Sequence, residues 1–65
     1  MRHEIVIETS HEADDAFRAY IVEGPEWAVG WCSTDKTREG AVHNLRRDLQ
    51  WERPRDTFDF LHARM

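Results

Sequence analysis

The chain has 65 residues, of which 40% are hydrophobic and 34% are charged, and its formal net charge is −4. This length allows one small domain and excludes a two-domain enzyme, and the composition is typical of a folded domain rather than a disordered tail. Domains shorter than roughly 70–80 residues usually need a disulfide, a metal or a partner chain, and because Cys32 is the only cysteine, we expect association with another chain.

Three β-strands are predicted in the first half of the chain. Residues 4–8 are rich in β-branched side chains and predict the first strand, and residues 16–22 alternate in hydrophobicity and predict the second. The polar segment 9–15 predicts a loop, so that the two strands form a hairpin. A Gly-Pro turn at 23–26 precedes a third alternating segment, which predicts a strand over 27–32 and hence an antiparallel meander.

An amphipathic helix is predicted over residues 38–50. Its apolar stripe consists of Ala41, Val42, Leu45 and Leu49 at helical spacing. Thr34 and Thr37 are both candidate N-caps, and Pro54 ends the helix because proline disfavours helical geometry in the residue before it. Beyond Pro54, residues 56–61 fit either an edge strand with alternating phenylalanines or a short helix.

Three segments of this pattern resemble one protein family. They are Phe17-Arg18-Ala19 on the second predicted strand, Gly24-Pro25 in the turn, and the run Ser33–Leu45 that leads into the helix. In this order they resemble the HicB-like family of small antitoxins and uncharacterised relatives, which have a partial RNase H-like fold. The residues that fit the family pattern in the third segment are Thr37, Ala41, Asn44 and Leu45, and Gly40 stands where the family usually has Glu.

The resemblance covers about residues 4–50 and implies an α+β fold of the partial RNase H-like kind. In this fold a three-stranded antiparallel meander carries one helix on one face, and a short strand or helix follows. We expect a βββα domain over residues 1–52 and a tail over residues 53–65 in subunit contact.

The function implied by the resemblance is protein binding without catalysis. The chain would bind and occlude a small basic mRNA-cleaving toxin of the HicA type. A chain of 65 residues leaves no room for the DNA-binding domain that many family antitoxins carry, so we expect no direct DNA binding. The alternative is a stand-alone homo-oligomeric HicB-like domain of unassigned function, and a more remote alternative is the remnant of a metal-dependent nuclease.

Charge is distributed unevenly along the chain. Residues 1–35 sum to −6 and residues 36–65 to +2. The acidic half argues against free nucleic acid as its ligand and favours a basic protein partner, although acids that merely solvate exposed strand faces explain it equally well. No apolar run approaches the roughly 18 residues that span a bilayer, and no signal-peptide pattern is present. We therefore expect a cytoplasmic protein without membrane contact.

The sequence contains residues of the types found in catalytic and metal sites, but their spacing favours solvent-exposed side chains without such a role. Carboxylates for a two-metal nuclease site would come from Glu8, Asp14, Asp15 and Asp35. These acids fall mostly in predicted turns, where solvated carboxylates are the favoured interpretation. Zinc ligands would come from Cys32, His3, His11, His43 and His62. Because these residues lack the short paired spacing of zinc motifs, we predict no catalytic residue, metal or cofactor.

Aromatic and basic residues suggest two further surfaces. A stacking platform for single-stranded nucleic acid would use Phe17, Tyr20, Trp27 and Trp31. Because Arg18 is the only base on the three predicted strands, we favour core packing and subunit contact for these aromatics. The one basic cluster consists of Arg46, Arg47, Arg53 and Arg55. It fits RNA, an acidic patch on another subunit, or a solvated helix face.

The second face of the predicted sheet is too apolar for a water-exposed surface. If the helix covers the face of Ile5 and Ile7, the apolar or small side chains left outside are those of Val6, Tyr20, Val22, Ala28 and Cys32. An antiparallel sheet that faces water normally alternates into polar residues. We therefore predict that this face, or the edge of the third strand, pairs with another chain in a homodimer. The predicted interface residues are Val6, Tyr20, Val22, Trp27, Trp31, Phe58, Phe60 and Leu61.

Overall fold

A computed structural model describes residues 1–62 as a four-stranded mixed sheet with one helix. The elements in chain order are β1 (Arg2–Ala13), β2 (Ala16–Glu23), β3 (Cys32–Asp35), α1 (Arg38–Glu52) and β4 (Thr57–His62). The strand order across the sheet is β3-β2-β1-β4. β2 is antiparallel to both β1 and β3, whereas β4 is parallel to β1. The predicted α+β class is confirmed, but the sheet is mixed rather than a purely antiparallel meander.

The helix is a topological requirement of this sheet. β3 runs antiparallel to β2 and therefore in the same direction as β1 and β4. Strands that run in the same direction need a long crossover connection, usually a helix, to bring the chain back to its starting end. α1 supplies that connection and crosses from one edge of the sheet to the other.

The first hairpin is longer and tighter than predicted. The prediction of a loop over residues 9–15 is wrong, because β1 continues to Ala13 and only Asp14 and Asp15 form the turn. The polar side chains at this end have partners across the hairpin: the His11 ring stacks on Phe17 with ring centroids 4.6 Å apart. Polarity there reflects exposure to water and not a break in the strand, since exposed strand positions accept polar side chains.

The third strand lies later in the chain than predicted. Instead of 27–32 it comprises Cys32–Asp35, and the preceding residues form turns. The N–H groups of Ala28 and Val29 donate to the Pro25 carbonyl at 2.9 and 3.3 Å, and Gly30 takes a φ of +94°. A positive φ is readily available only to glycine, so the chain turns back here and the tryptophan alternation does not form a strand. Ala28, expected on the outer face, is fully buried.

The helix confirms its predicted range and selects one of the two candidate caps. The Gly40 N–H donates to Thr37 Oγ1 at 3.0 Å, so Thr37 is the N-cap. The Asp35 carboxylate in turn accepts from the N–H and the hydroxyl of Thr37, at 3.3 and 3.2 Å. A Cβ at position 40 would collide with this carboxylate, which explains glycine at this helical position. The helix ends at Glu52, before Pro54 as predicted.

One core lies between α1 and the sheet. Its buried residues are Ile5, Ile7, Ala19, Ile21, Ala28, Ala41, Val42, Leu45 and Leu49. The segment after Pro54 confirms the strand interpretation and not the short helix, because Phe58 and Phe60 align with His3 and Ile5 of β1. Residues 53–62 of the predicted tail thus include a strand of the same sheet, and its last three residues lie outside the described part of the chain.

Candidate interaction surfaces

The sheet face opposite α1 carries four of the predicted interface residues. Val6 aligns with Leu61 across β1 and β4, and Tyr20 aligns with Glu8 and Cys32 on its two neighbours. Val22 follows the buried Ile21 and lies at a bulge where β2 carries one extra residue. Leu61 is 50% exposed. No element within residues 1–62 covers this surface, which we call the open sheet face.

The open sheet face carries two carboxylates, those of Glu4 and Glu8, that take no part in the ion pairs of the described residues. Arg2 makes a two-pronged contact to Asp59, from Nε at 2.6 Å and from Nη2 at 3.1 Å. Arg18 Nε lies 3.2 Å from Glu12 Oε1. Among the described residues Glu4 and Glu8 form no ion pair. The arginines on this face are therefore already neutralised, and its free charge is negative.

The other four predicted interface residues lie on the helix side of the sheet. Trp27, Trp31, Phe58 and Phe60 are partly buried and pack against the core. Together with His3 they form an aromatic cluster, in which Trp27 meets Trp31 and His3 edge to face with ring centroids 6.0 and 5.8 Å apart. The His3 ring also stacks on Phe58 at 5.4 Å. These aromatic side chains pack against the core of this molecule. That they also contact another chain remains a prediction.

His3 ties the aromatic cluster to the turn before β4. Its Nε2 lies 2.8 Å from Asp56 Oδ2, and only 10% of the His3 side chain is exposed. The hydrogen bond with His3 is the main reason that the pKa of Asp56 lies below its ordinary value. The partners are more than fifty residues apart in sequence, so no local pattern could have paired them.

The outer surface of α1 presents an exposed tryptophan that the sequence analysis missed. Trp51 is 85% exposed and lines a groove of about 550 Å³ with Arg47, Gln50 and Pro54. The signal was available, because position 51 falls off the apolar stripe of the helix. Of the basic cluster predicted from sequence, Arg47 lines this groove, whereas Arg46 lines a separate groove on α1 and Arg53 lies over the Trp27 ring.

The candidate nuclease carboxylates do not converge. Glu8 lies on the open sheet face, whereas Asp35 faces α1 and is engaged by Thr37. Asp14 and Asp15 form the hairpin tip. Within residues 1–62 no group of three or more His, Cys, Asp or Glu side chains could hold a metal ion. The side chain of His62, one of the zinc candidates, lies outside the described part of the structure.

The described part of the chain contains no helix that is long and apolar enough to cross a membrane. Comparison of the chain with protein-family models, with curated proteins and with solved structures finds no match.

Proposed function

We propose that this chain is a cytoplasmic, non-catalytic binding protein of the HicB-like antitoxin type, and that its open sheet face occludes a small basic toxin. The observation that carries the proposal is the chemistry of that face. Apolar side chains of Val6, Tyr20 and Leu61 lie beside the free carboxylates of Glu4 and Glu8. Apolar area supplies binding energy, and complementary charge guides a basic partner into register.

The order of elements supports the family part of the proposal. Three strands precede one helix and a fourth strand follows it, as the resemblance to a partial RNase H-like fold implies. The contact between Asp35 and position 40 supports it further, because it gives a local reason for glycine where the family usually has Glu. Thr37 is the helix cap, in keeping with its place in the family pattern.

Occlusion suits the dimensions of this molecule better than catalysis does. One sheet and one helix offer a broad exposed face, whereas small-molecule sites usually lie in clefts that enclose most of the ligand. A sheet face can cover the active surface of another small protein without any chemistry of its own. The acidic half of the sequence, at −6 over residues 1–35, agrees with a basic partner.

The test is co-expression with the adjacent reading frame, where that frame encodes a basic protein of about 60–80 residues with a central histidine. We expect the two proteins to co-purify. We expect Glu4→Lys combined with Glu8→Lys to weaken binding by tenfold or more, because these charges face the partner. Trp51→Ala, on the opposite side of the molecule, is the matched control and leaves binding unchanged. Unaltered binding by the double Lys variant would exclude this face as the toxin site.

A stand-alone homo-oligomer is the second candidate function, and the uncovered apolar side chains of the open sheet face favour it. Exposed apolar patches commonly mark contacts between chains. Sedimentation at micromolar concentration should then show a dimer that Tyr20→Lys dissociates. A stable monomer would exclude the homodimer. RNA cleavage with Mg²⁺ or Mn²⁺ that is lost in Asp14→Asn or Asp15→Asn would replace both proposals with the nuclease.

A further inference from the structure

We propose that the outer edge of β4 pairs with β4 of a second copy of this chain, so that the two sheets join into one. Within residues 1–62, β4 ends the strand order of the sheet and has β1 as its only neighbour. Its outer edge therefore presents N–H and C=O groups that form a template for another strand. This edge lies in the plane of the sheet, so the inference is independent of the partner proposed for the open sheet face.

The two edges of the described sheet are protected to different degrees. β3 comprises only the four residues Cys32–Asp35, and a short edge strand is one way in which proteins prevent edge-to-edge association. β4 comprises six residues and aligns with β1 from Arg2 to Ile7 without a bulge. It contains neither lysine nor proline, which commonly block an exposed edge. Of the two, β4 is therefore the edge that is open to pairing.

One backbone hydrogen bond shows which residues of β4 face the outer edge. The N–H of Thr57 donates to the carbonyl of Met1 at 2.9 Å, so Thr57 directs its backbone groups toward β1. Backbone groups alternate in direction along a strand, so those of Asp59 and Leu61 also point toward β1. The residues whose N–H and C=O groups point to the outer edge are Phe58, Phe60 and His62.

These directions select one register for two β4 strands. A two-fold axis perpendicular to the sheet makes the strands antiparallel and keeps both helices on the same side. Centred on Phe60, the pairing brings Phe60 opposite its copy and Phe58 opposite His62 twice, which gives three hydrogen-bonded residue pairs within β4. Every other register with matched faces gives fewer. The register centred on Asp59 also places two carboxylates opposite each other, which is destabilising.

The side chains fit the register centred on Phe60. On the helix side, Phe60 meets its copy, and aromatic pairs across strands are favourable. Phe60 is only partly buried within one molecule, so pairing covers exposed ring surface. The Arg46 guanidinium lies 4.8 Å from the centroid of this ring, over its face, and leaves the backbone edge accessible. On the open sheet face, Leu61 lies opposite Asp59 of the second copy, which makes the contact sensitive to charge.

The pairing should be weak and should leave the open sheet face accessible. Each chain contributes six residues, against roughly 20–30 on each side of an interface of standard size. We therefore expect a transient dimer with a dissociation constant of roughly 100 μM. Strands that join in the plane of the sheet bring the two open sheet faces side by side, so each can still bind its own partner.

The first experiment measures the exchange of amide hydrogens with water by NMR on the full chain. Between about 50 μM and about 1 mM protein, we expect exchange of the Phe58 and Phe60 amides to slow at least twofold, because pairing engages their N–H groups. The amides of Asp59 and Leu61 bond to β1 in monomer and dimer alike and serve as internal controls. Exchange at Phe58 and Phe60 that is independent of concentration would overturn the proposal.

The second experiment uses sedimentation equilibrium of two matched variants. Leu61 is 50% exposed, so its replacement leaves the core intact. Leu61→Asp places like charges opposite Asp59 of the second copy and should weaken association threefold or more, whereas Leu61→Lys places opposite charges there and should retain it. Tyr20→Lys, which would dissociate a dimer formed through the open sheet face, should leave the β4 pair unchanged.

Three sedimentation results would contradict the proposal. A monomer at about 1 mM would lie beyond even weak interfaces of this kind. Loss of association in Tyr20→Lys would place the contact on the open sheet face. Equal weakening by Leu61→Asp and Leu61→Lys would exclude the register centred on Phe60. Circular dichroism of each variant shows that a loss of association does not come from unfolding.

Discussion

At the level of single residues, two aspartates, one on β4 and one in the turn just before it, tie this part of the chain to β1. Asp56 contacts His3 and Asp59 contacts Arg2. In both carboxyls the hydrogen bond from the partner lowers the pKa below the ordinary value of 3.8. Neither pair is detectable from the sequence, because the partners lie more than fifty residues apart and belong to no motif.

Acid should destabilise the fold through these two carboxyls. A carboxyl with a lowered pKa in the folded state adds stability above its unfolded pKa, near 3.8. That stability is lost as the pH falls through the lower folded value. We therefore expect the free energy of unfolding, measured by urea denaturation, to decline below about pH 4. Combining Asp56→Asn with Asp59→Asn should make this decline shallower and should lower the free energy of unfolding at pH 6. Asp14→Asn in the hairpin turn is the control, and an unchanged acid limb in the double variant would contradict the assignment.

At the level of secondary-structure elements, the helix is the one that local sequence predicts best. Ala41, Val42, Leu45 and Leu49 were predicted as the buried stripe, and all four are buried. Helical periodicity is a local property, so a short window of sequence suffices to detect it. The same periodicity puts Trp51 outside the stripe, only two residues after the fully buried Leu49.

Two substitutions on α1 should distinguish a side chain that packs in the core from one that does not. Leu49→Ala removes a fully buried side chain and should cost about 2–5 kcal/mol in the free energy of unfolding. Trp51→Ala removes a larger side chain that is 85% exposed and should change stability by no more than about 0.5 kcal/mol. Urea denaturation monitored by circular dichroism measures both. Comparable losses in the two variants would mean that Trp51 packs against the protein.

The strands show where local sequence reasoning stops. β2 was predicted within one residue, because its alternation is regular and Ala19 and Ile21 are buried as the pattern requires. β3 lies later in the chain than predicted, because Trp27 and Trp31 alternate like strand residues without forming a strand. Hydrogen bonds from the N–H groups of Ala28 and Val29 to the Pro25 carbonyl turn the backbone between them. An alternating pattern reports the burial of side chains, and a turn whose aromatics pack on a core produces the same pattern.

At the scale of the whole molecule, we expect cooperative folding to require β4. This expectation tests the predicted domain boundary after residue 52. β4 aligns with β1 from Arg2 to Ile7, and Phe58 and Phe60 pack against the core. A chain ending at Pro54 would expose this side of the core and leave β1 as an unpaired sheet edge. We therefore expect it to lack cooperative unfolding in urea and dispersed amide signals in NMR spectra. Phe60→Ala should lower the free energy of unfolding by only about 1–3 kcal/mol, because Phe60 is partly and not fully buried. A cooperatively folded 1–54 chain would instead support an independent βββα domain.

The molecule also separates its charge between its two sides. Among the described residues, Glu4 and Glu8 on the open sheet face form no ion pair, and neither do Arg46 on α1 and Arg53 after it. The sequence showed this as a contrast between its halves. The fold carries only part of that contrast into opposite surfaces, because residues 1–35 form three strands, whereas residues 36–65 supply β4 of the same sheet as well as α1.

The sequence by itself determined the elements whose signals are local: the second strand, the helix with its buried stripe, its end before Pro54, and the burial of Ile5 and Ile7. Tertiary structure alone decided the length of β1, the position of β3, the place of β4 beside β1, and the grouping of His3 with Trp27 and Phe58. The physical reason is the range of the interactions. Helical and strand periodicity operate over a few residues, whereas strand pairing and aromatic packing join residues from opposite ends of the chain.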